Sequence, residues 1–164
     1  MSQSHTYDVL IVGSGAAGLT LGLSLPDHLQ AAIISKESLD AGSTRWAQGG
    51  VAAVLDEDDS VDAHVADTLV AGAGLCHEPS VRFTVEHSNA AIQWLIDIGV
   101  PFTQDAPDHF HLTREGGHSA RRIIHAADAT GHAISETLLQ RAKEKSNLHM
   151  MQNYIAIDLI TREK

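Results

Sequence analysis

The chain has 164 residues, a length that predicts a single domain. Its 21 Asp and Glu residues outnumber 11 Lys and Arg residues, so the formal net charge is −10. This acidity argues against nucleic-acid and anionic-membrane partners, because nothing offsets the repulsion from phosphate. With 43% hydrophobic and 20% charged residues, the composition is typical of a soluble globular protein and not of a disordered one.

The cysteine and histidine content and the N-terminal residues argue against disulfides, metal sites and targeting peptides. A single cysteine, Cys76, excludes an internal disulfide and a CxxC metal site. The 11 histidines are scattered, without an HxH or HExxH arrangement, so we predict no metal site. Residues 1–5 are polar and resemble neither a signal nor a transit peptide. No apolar stretch approaches the roughly 18 residues of a membrane span, and we therefore predict a cytoplasmic protein.

The first 35 residues predict one βαβ unit. Residues 7–12 (YDVLIV) form a continuous apolar run, as expected for a strand buried on both faces of a parallel sheet. Leucines at alternate positions in 19–25 predict a helix that Pro26 ends, and 31–35 (AAIIS) predict a second buried strand. The fold class predicted is therefore α/β with a parallel sheet.

The remaining segments predict further helices and strands, with Gly72 and Gly74 ending one of the helices. The acidic run 56–59 is interpreted as a solvated turn whose last residues favour the start of the next helix. In chain order we expect an irregular segment at 36–50, a short strand at 51–55, a helix at 60–71, a helix from about 79 to 99 with a candidate break near Ser88, a polar loop at 103–118, a helix at 131–145 and a third sheet strand at 154–160.

A glycine-rich turn joins the first strand to the first helix. Gly13, Gly15 and Gly18 satisfy GxGxxG in the strand–turn–helix context that this pattern needs. The first glycine permits the tight turn, the second lets the backbone approach a pyrophosphate, and the third allows close packing of helix on strand. Free N–H groups at the helix start would then bind the phosphates, so the turn predicts a dinucleotide site.

The residues at the end of the second strand do not show which dinucleotide would bind. An acidic residue that binds the ribose 2′-hydroxyl is usual at this point, but Ser35 and Lys36 stand here, with Glu37 directly after. A lysine could bind a 2′-phosphate, which would indicate NADP, or it could make a different contact in a flavin protein.

Two later segments resemble known flavoproteins. Residues 35–50 are similar to the second FAD-contacting loop of the succinate dehydrogenase/fumarate reductase flavoprotein superfamily, and 125–131 (HAADATG) to its AADxTG segment. Within the superfamily the chain most resembles the L-aspartate oxidase family, over about residues 7–160. The motifs that carry this resemblance are GSGAAGL at 13–19, STRWAQGGVAAV at 43–54, DTLVAGAGLC at 67–76 and HLTREGGHSARRIIHAADATG at 111–131.

The resemblance implies a Rossmann-like FAD-binding domain and the residues that hold the cofactor. Respiratory members carry a histidine in the loop around 43–46 that bonds covalently to the flavin, and this chain has none, which implies non-covalent FAD. Backbone groups of 154–156 are further candidates for contact with the adenine. The expected FAD-binding residues are Gly13, Ser14, Gly15, Ala16, Ala17, Gly18, Lys36, Ser43, Thr44, Arg45, Trp46, Ala47, Gln48, Gly49 and Gly50.

Glu115 is the catalytic candidate that the resemblance implies. It corresponds to a family glutamate near substrate and flavin, where a carboxylate could orient an ammonium group or accept a proton. His118 and His125 are expected to have hydrogen-bonded structural roles. Asp128 and Thr130 are expected to brace and cap the helix that starts near 131.

The activity that the resemblance implies is FAD-dependent oxidation of L-aspartate to iminoaspartate, the first step of NAD (pyridine nucleotide) biosynthesis. A hydride would pass to flavin N5, and oxygen or fumarate would reoxidise the flavin. The resemblance also implies a functional link to a quinolinate-forming enzyme. The alternatives are a soluble fumarate reductase-type flavoprotein and an inactive FAD-domain fragment.

The family's enzymes are longer than this chain. We therefore expect 1–164 to be an incomplete N-terminal FAD-binding domain that lacks the substrate-capping domain and the C-terminal part. The isolated chain would then be inactive with L-aspartate, bind FAD weakly and tend to self-associate through uncovered apolar surface.

Overall fold

A computed structural model of the chain describes residues 4–107, 109–127 and 129–161. The chain divides into two compact units, Met1–Ala47 with Ile134–Lys164, and Gln48–Ala133. The helices and strands are β1 (Val9–Val12), α1 (Ala16–Ser24), β2 (Ala31–Ser35), β3 (Val51–Ala52), α2 (Val61–Ala71), α3 (Glu78–Glu86), α4 (Ser88–Asp97), β4 (Gln104–Ala106), β5 (His109–Phe110), β6 (Leu112–Thr113), β7 (Ile123–Ile124), α5 (Thr130–Glu144) and β8 (Leu148–Gln152), with a short 3₁₀ turn at Ser43–Trp46.

The first unit is built on a parallel sheet with strand order β1-β2-β8. All five residues of β2 are buried, as the apolar run AAIIS predicts for a central strand. The α/β fold class with a parallel sheet is therefore confirmed.

Close packing between α1 and the glycine turn depends on Gly18. A Cβ atom there would lie 2.0 Å from the Gly13 carbonyl oxygen and 3.2 Å from an Ile11 methyl group. No side chain fits at that distance, so the third glycine of the motif has the packing role that the sequence predicts.

The third sheet strand is not where the hydrophobic pattern places it. The strand is β8, and residues 154–160 are extended and exposed, with Ile157 and Ile160 each 93% exposed. The amide side chain of Asn147 donates to the carbonyls of Pro26 (3.1 Å) and Leu29 (2.7 Å) and so fixes the start of β8 beside β2. β2 ends at Ser35, whose carbonyl accepts from Tyr154 N–H, and residues 155–160 pair with no strand in the part of the chain that the structure describes.

The second unit carries two small antiparallel sheets, β3-β7-β6 and β4-β5. The prediction of a loop at 103–118 was wrong in part, because β4, β5 and β6 lie within it. These strands have three or two residues each, too few to show an alternating pattern, and their pairing comes from distant partners such as β7.

The helices of the second unit agree with the predictions apart from their ends. The Ser60 hydroxyl accepts from Ala63 N–H (3.1 Å) and caps α2. The helical segment predicted from 79 to 99 is broken at His87 into α3 and α4, which confirms the candidate break near Ser88. The predicted strand at 51–55 is shorter, since only Val51 and Ala52 pair with β7.

Among the residues described, no helix has the length and apolar character needed to cross a membrane.

Candidate functional site

The glycine turn of the first unit presents the N-terminus of α1 to an open space. Gly13 has φ +109°, a conformation that side chains rarely adopt, and its N–H donates to the Ile34 carbonyl (2.9 Å). Gly15 is the N-cap residue of α1 and, because it has no side chain, it cannot bond to the free N–H groups at the start of the helix. The N–H groups of the first helical turn have no carbonyl partner within the helix, so this end is suited to bind a phosphate.

The loop after β2 folds over the same helix end. The Thr44 hydroxyl accepts from Ala16 N–H (3.2 Å), and the Ser14 hydroxyl donates to the Leu39 carbonyl (2.8 Å). A Cβ atom at Gly42 would lie 3.6 Å from Gly15 Cα. The structure thus brings 13–16 and 42–44, which are distant in sequence, to one place.

A cavity of about 460 Å³ opens at this place. One wall is the glycine turn and another the end of β2, where Lys36 and Glu37 stand side by side. Of the predicted site, Gly13, Ser14, Gly15, Lys36 and Ser43 line the cavity, and Tyr154, Ile155 and Ala156 line it as well. The further lining residues, which the sequence did not single out as site residues, are Val12, Ile34, Ser35, Glu37, Ala41 and Gly42.

The other predicted cofactor residues have different surroundings. Arg45 forms an ion pair with Asp40 (2.8 Å), and Trp46 is 73% exposed. Gln48, Gly49 and Gly50 belong to the second unit. Their contact with FAD stays a prediction, as do the assignments of Ala17, Gly18 and Ala47.

The candidate catalytic residue lies in a loop of the second unit. Glu115 is exposed and is followed by Gly116 and Gly117, and Gly117 has φ +86°. His118 N–H donates to the Glu115 carbonyl (3.2 Å), which closes the turn. A cleft of about 570 Å³ beside the loop is lined by Thr113, Arg114, Ser119 and Arg121.

Comparison with known proteins identifies the cofactor. A family described as "FAD binding domain" matches residues 8–164. The chain belongs to this FAD-binding family. The cofactor is therefore FAD, and the NADP interpretation of Lys36 is set aside. The cavity fits this group, since a glycine backbone and a helix N-terminus face one side of it and the end of a parallel strand faces another.

Individual relatives of this FAD-binding chain are closely similar over its whole length. It is 61% identical to an L-aspartate oxidase of Pseudomonas aeruginosa over 100% of this chain and 32% of that protein. It is 58% identical to an L-aspartate oxidase of Acinetobacter baylyi, over 100% and 30% respectively. The chain thus spans about a third of the length of these curated relatives.

Solved structures show the same fold. The chain matches a quinol–fumarate reductase determined with menaquinol molecules at TM-score 0.89 and 30% identity, over 99% of this chain and 29% of that one. It matches an Escherichia coli quinol fumarate reductase at TM-score 0.84 and 31% identity, over 91% and 26%. The resemblance to the fumarate reductase superfamily and to its L-aspartate oxidases is thereby confirmed.

A buried charge cluster beside the Glu115 loop was not predicted. The Arg122 side chain is 0% exposed and donates to both carboxylate oxygens of Asp59 (2.7 and 2.8 Å) and to Asp67 (2.8 Å). Interpretation of 56–59 as a solvated turn was wrong for Asp59, whose side chain is 1% exposed. No local pattern marks these residues, because their partners lie 55 and 63 positions away in sequence.

Two pairs of histidines are in contact in the second unit. His111 Nδ1 and His125 Nε2 share a hydrogen bond of 2.9 Å, in agreement with a structural role for His125. His118 packs against His64, with ring centroids 5.7 Å apart, and the Nδ1 atoms of both are buried without a partner among the described residues. Burial and the Arg122 cation lower the pKa of His64.

The remaining structural predictions concern the start of α5. Thr130 is 1% exposed, and its hydroxyl accepts from Ala126 N–H (3.1 Å), so it braces the turn that leads into the helix. Asp128, which was predicted to act with it, lies outside the described residues.

Acid should lower the free energy of unfolding, because Asp67 becomes protonated and loses its hydrogen bonds. Hydrogen bonds from the Ser119 backbone and hydroxyl, helped by Arg122, lower the pKa of Asp67 to about 2. Because the folded pKa lies below the usual value of 3.8, the stabilisation is complete above about pH 4 and is lost as pH falls through about 2. In urea unfolding between pH 4.5 and 2.5, the stability difference between wild type and Asp67→Asn should shrink as pH falls. A stability difference that stays the same over this pH range would contradict the assignment.

Proposed function

We propose that the protein containing this chain is an FAD-dependent oxidase that converts L-aspartate to iminoaspartate. The observation that carries this proposal is 61% identity to an L-aspartate oxidase across the whole chain. Two features support the proposal, the glycine-turn cavity of the first unit and the Glu115 loop of the second.

The first unit offers groups for each end of the cofactor. The pyrophosphate would lie against the backbone of Ser14 and Gly15, where the helix N-terminus favours negative charge. The adenosine would lie toward Lys36, Glu37 and 154–156, which line the other walls. Residues 43–50 would approach the flavin ring. When bound, FAD supplies the redox chemistry, taking a hydride at N5 and being reoxidised by oxygen or fumarate.

Glu115 would act on the amino group of the substrate. Its carboxylate is exposed on a glycine loop, where it can approach an ammonium group and orient it or accept a proton. The neighbouring cleft carries Arg114 and Arg121, which suit an anionic substrate. These are the chain's own contributions to binding and orientation.

The reaction product defines the place of the enzyme in metabolism. Iminoaspartate formation is the first step of NAD biosynthesis, and a quinolinate-forming enzyme would consume the product. We place this activity in the cytoplasm.

A soluble fumarate reductase is the second candidate. It is favoured by the structural match to quinol–fumarate reductases at 30–31% identity. The L-aspartate oxidases are about twice as similar in sequence, at 61 and 58% identity, and this difference favours the oxidase.

Turnover distinguishes the two candidates. The natural polypeptide that contains these residues is purified, its flavin absorbance is recorded, and hydrogen peroxide is measured with L-aspartate in air. D-Aspartate serves as the control substrate. Peroxide formation with L-aspartate supports the oxidase. A flavoprotein that reduces fumarate from an artificial donor but does not oxidise L-aspartate would overturn the proposal in favour of the reductase.

The flavin should be released by acid. Residues 43–46 are Ser-Thr-Arg-Trp and include no histidine to form a covalent bond to the flavin. Precipitation of the holoprotein with trichloroacetic acid should therefore leave the yellow flavin in the supernatant. Flavin that stays with the pellet would show a covalent link and contradict the non-covalent assignment.

Loss of the Glu115 charge should reduce aspartate oxidation selectively. Glu115→Gln keeps the shape of the side chain, and we expect kcat/KM for L-aspartate to fall roughly tenfold or more, on the usual scale of a positioned acid–base group. Fumarate has no ammonium group, so its reduction should fall less. Glu57→Gln, an exposed glutamate elsewhere in the same unit, is the matched control. Equal losses with both substrates would show that Glu115 does not recognise the amino group.

A further inference from the structure

Asp67 ties helix α2 to the end of the Glu115 loop. One of its carboxylate oxygens, Oδ2, accepts from Ser119 N–H (2.7 Å), from the Ser119 hydroxyl (2.7 Å) and from Arg122 Nη1 (2.8 Å). Three donors on one oxygen form a short, charge-assisted attachment. The Asp67 side chain is 19% exposed, and its partner Ser119 is exposed at the surface.

Arg122 holds Asp67 in place from the protein interior. Its guanidinium is completely buried, and two of its nitrogens are occupied by the carboxylate of Asp59, itself 1% exposed. A guanidinium bound on both sides has a fixed position and direction. The side chain of Asp67 is therefore aimed at Ser119 by a rigid neighbour.

Apart from Asp67, the loop that ends at Ser119 is held at this end by the bond from His118 N–H to the Glu115 carbonyl and by packing of the His118 ring against His64. Residues 114–117 are exposed, and they include two consecutive glycines. A Cβ atom at Gly116 would meet nothing within 4 Å, and one at Gly117 would meet only an Ala71 methyl group at 3.7 Å. Such a segment samples many conformations unless its ends are held, so its attachment determines where Glu115 stands.

We propose that Asp67 is a positioning residue, which holds the loop so that Glu115 is presented to the amino group of the substrate. The proposal rests on the proposed function, since it takes Glu115 as the group that contacts the substrate. Asp67 itself does not reach the substrate in this scheme and acts through Ser119.

The first test measures the loop without any activity assay. Amide hydrogen exchange is followed by mass spectrometry over 113–119 in the holoprotein, for wild type and for Asp67→Asn. We expect exchange in this peptide to become at least tenfold faster in the variant, with FAD content unchanged. Asp62→Asn is the matched control, because this carboxylate lies on the same helix and pairs with the exposed Arg82. Unchanged exchange in Asp67→Asn would overturn the proposal.

The second test measures coupling to Glu115. In Asp67→Asn we expect KM for L-aspartate to rise by roughly tenfold, with a smaller change in kcat and a smaller effect on fumarate reduction. If Asp67 acts through Glu115, the double variant Asp67→Asn/Glu115→Gln should be no worse than Glu115→Gln alone. Multiplied losses in the double variant would overturn the proposal.

A milder variant separates positioning from misfolding. Ser119→Ala removes the hydroxyl bond to Asp67 and the longer bond that the hydroxyl accepts from Arg122 Nη2 (3.5 Å), and it leaves the backbone bond to Asp67. It should therefore show the same changes with smaller size. If Glu115→Gln alone has no effect, the role of Glu115 fails, and the exchange result still decides whether Asp67 holds the loop. If Ser119→Ala exchanges like wild type while Asp67→Asn is globally unfolded, Asp67 serves stability alone and the positioning role is excluded.

Discussion

Valine in place of Gly15 is expected to abolish FAD retention and leave the fold intact. Gly15 has an ordinary φ of −74°, and an added Cβ would lie 3.7 Å from the Thr44 hydroxyl oxygen, an ordinary contact distance. The chain itself therefore has room for a Cβ atom here. A side chain would exclude the pyrophosphate, because the backbone must approach it closely at this position.

Flavin content and circular dichroism separate the two effects. Gly15→Val should purify without yellow colour and keep the wild-type far-ultraviolet spectrum. Gly18→Ala is the contrasting variant, since its Cβ would lie 2.0 Å from the Gly13 carbonyl oxygen and must disturb the packing of α1 on β1. That variant should lose stability as well as flavin. If Gly15→Val binds FAD as well as wild type, the glycine turn does not hold the pyrophosphate.

Methionine in place of Arg122 should destabilise the protein by about 3–5 kcal/mol, the usual cost of removing one partner from a buried ion pair. The change leaves the Asp59 carboxylate, 1% exposed, without a counter-charge. It also removes one of the three donors to Asp67. Urea unfolding of the apoprotein followed by circular dichroism measures the loss.

Arg82→Met is the control for loss of positive charge. Arg82 pairs with Asp62 and Glu86 at the surface, and its own side chain is 41% exposed. Exposed ion pairs contribute little, so we expect almost no change in stability. A similar small loss in Arg122→Met would mean that water or another cation replaces the guanidinium, and that the cluster is not a structural centre.

Local sequence signals predicted part of the lining of the glycine-turn cavity. The GxGxxG turn depends only on neighbouring residues, and Gly13 and Gly15 lie on one cavity wall. The strand before it, β1, was expected to be buried on both faces, but its Leu10 and Val12 are 59% and 67% exposed. The approach of Thr44 to Ala16 could be expected only through the resemblance to known flavoproteins, because 28 residues separate the two. Gly42 belongs to the segment that resembles the second FAD-contacting loop, and it lines the cavity together with Ala41 because the loop after β2 folds back over α1.

The sequence alone determined the α/β class, the glycine turn and most helix positions, because these depend on short-range periodicity, caps and the steric freedom of glycine. Tertiary structure decided which apolar run becomes the third strand: 148–152 lie along β2, whereas 154–160 extend beyond the end of β2 and stay exposed. It also decided that Asp59 is buried while Asp56 is solvated, although both stand in one acidic run. The physical reason is that strand pairing and burial of charge depend on partners far away in the chain, and only folding brings Arg122 to Asp59.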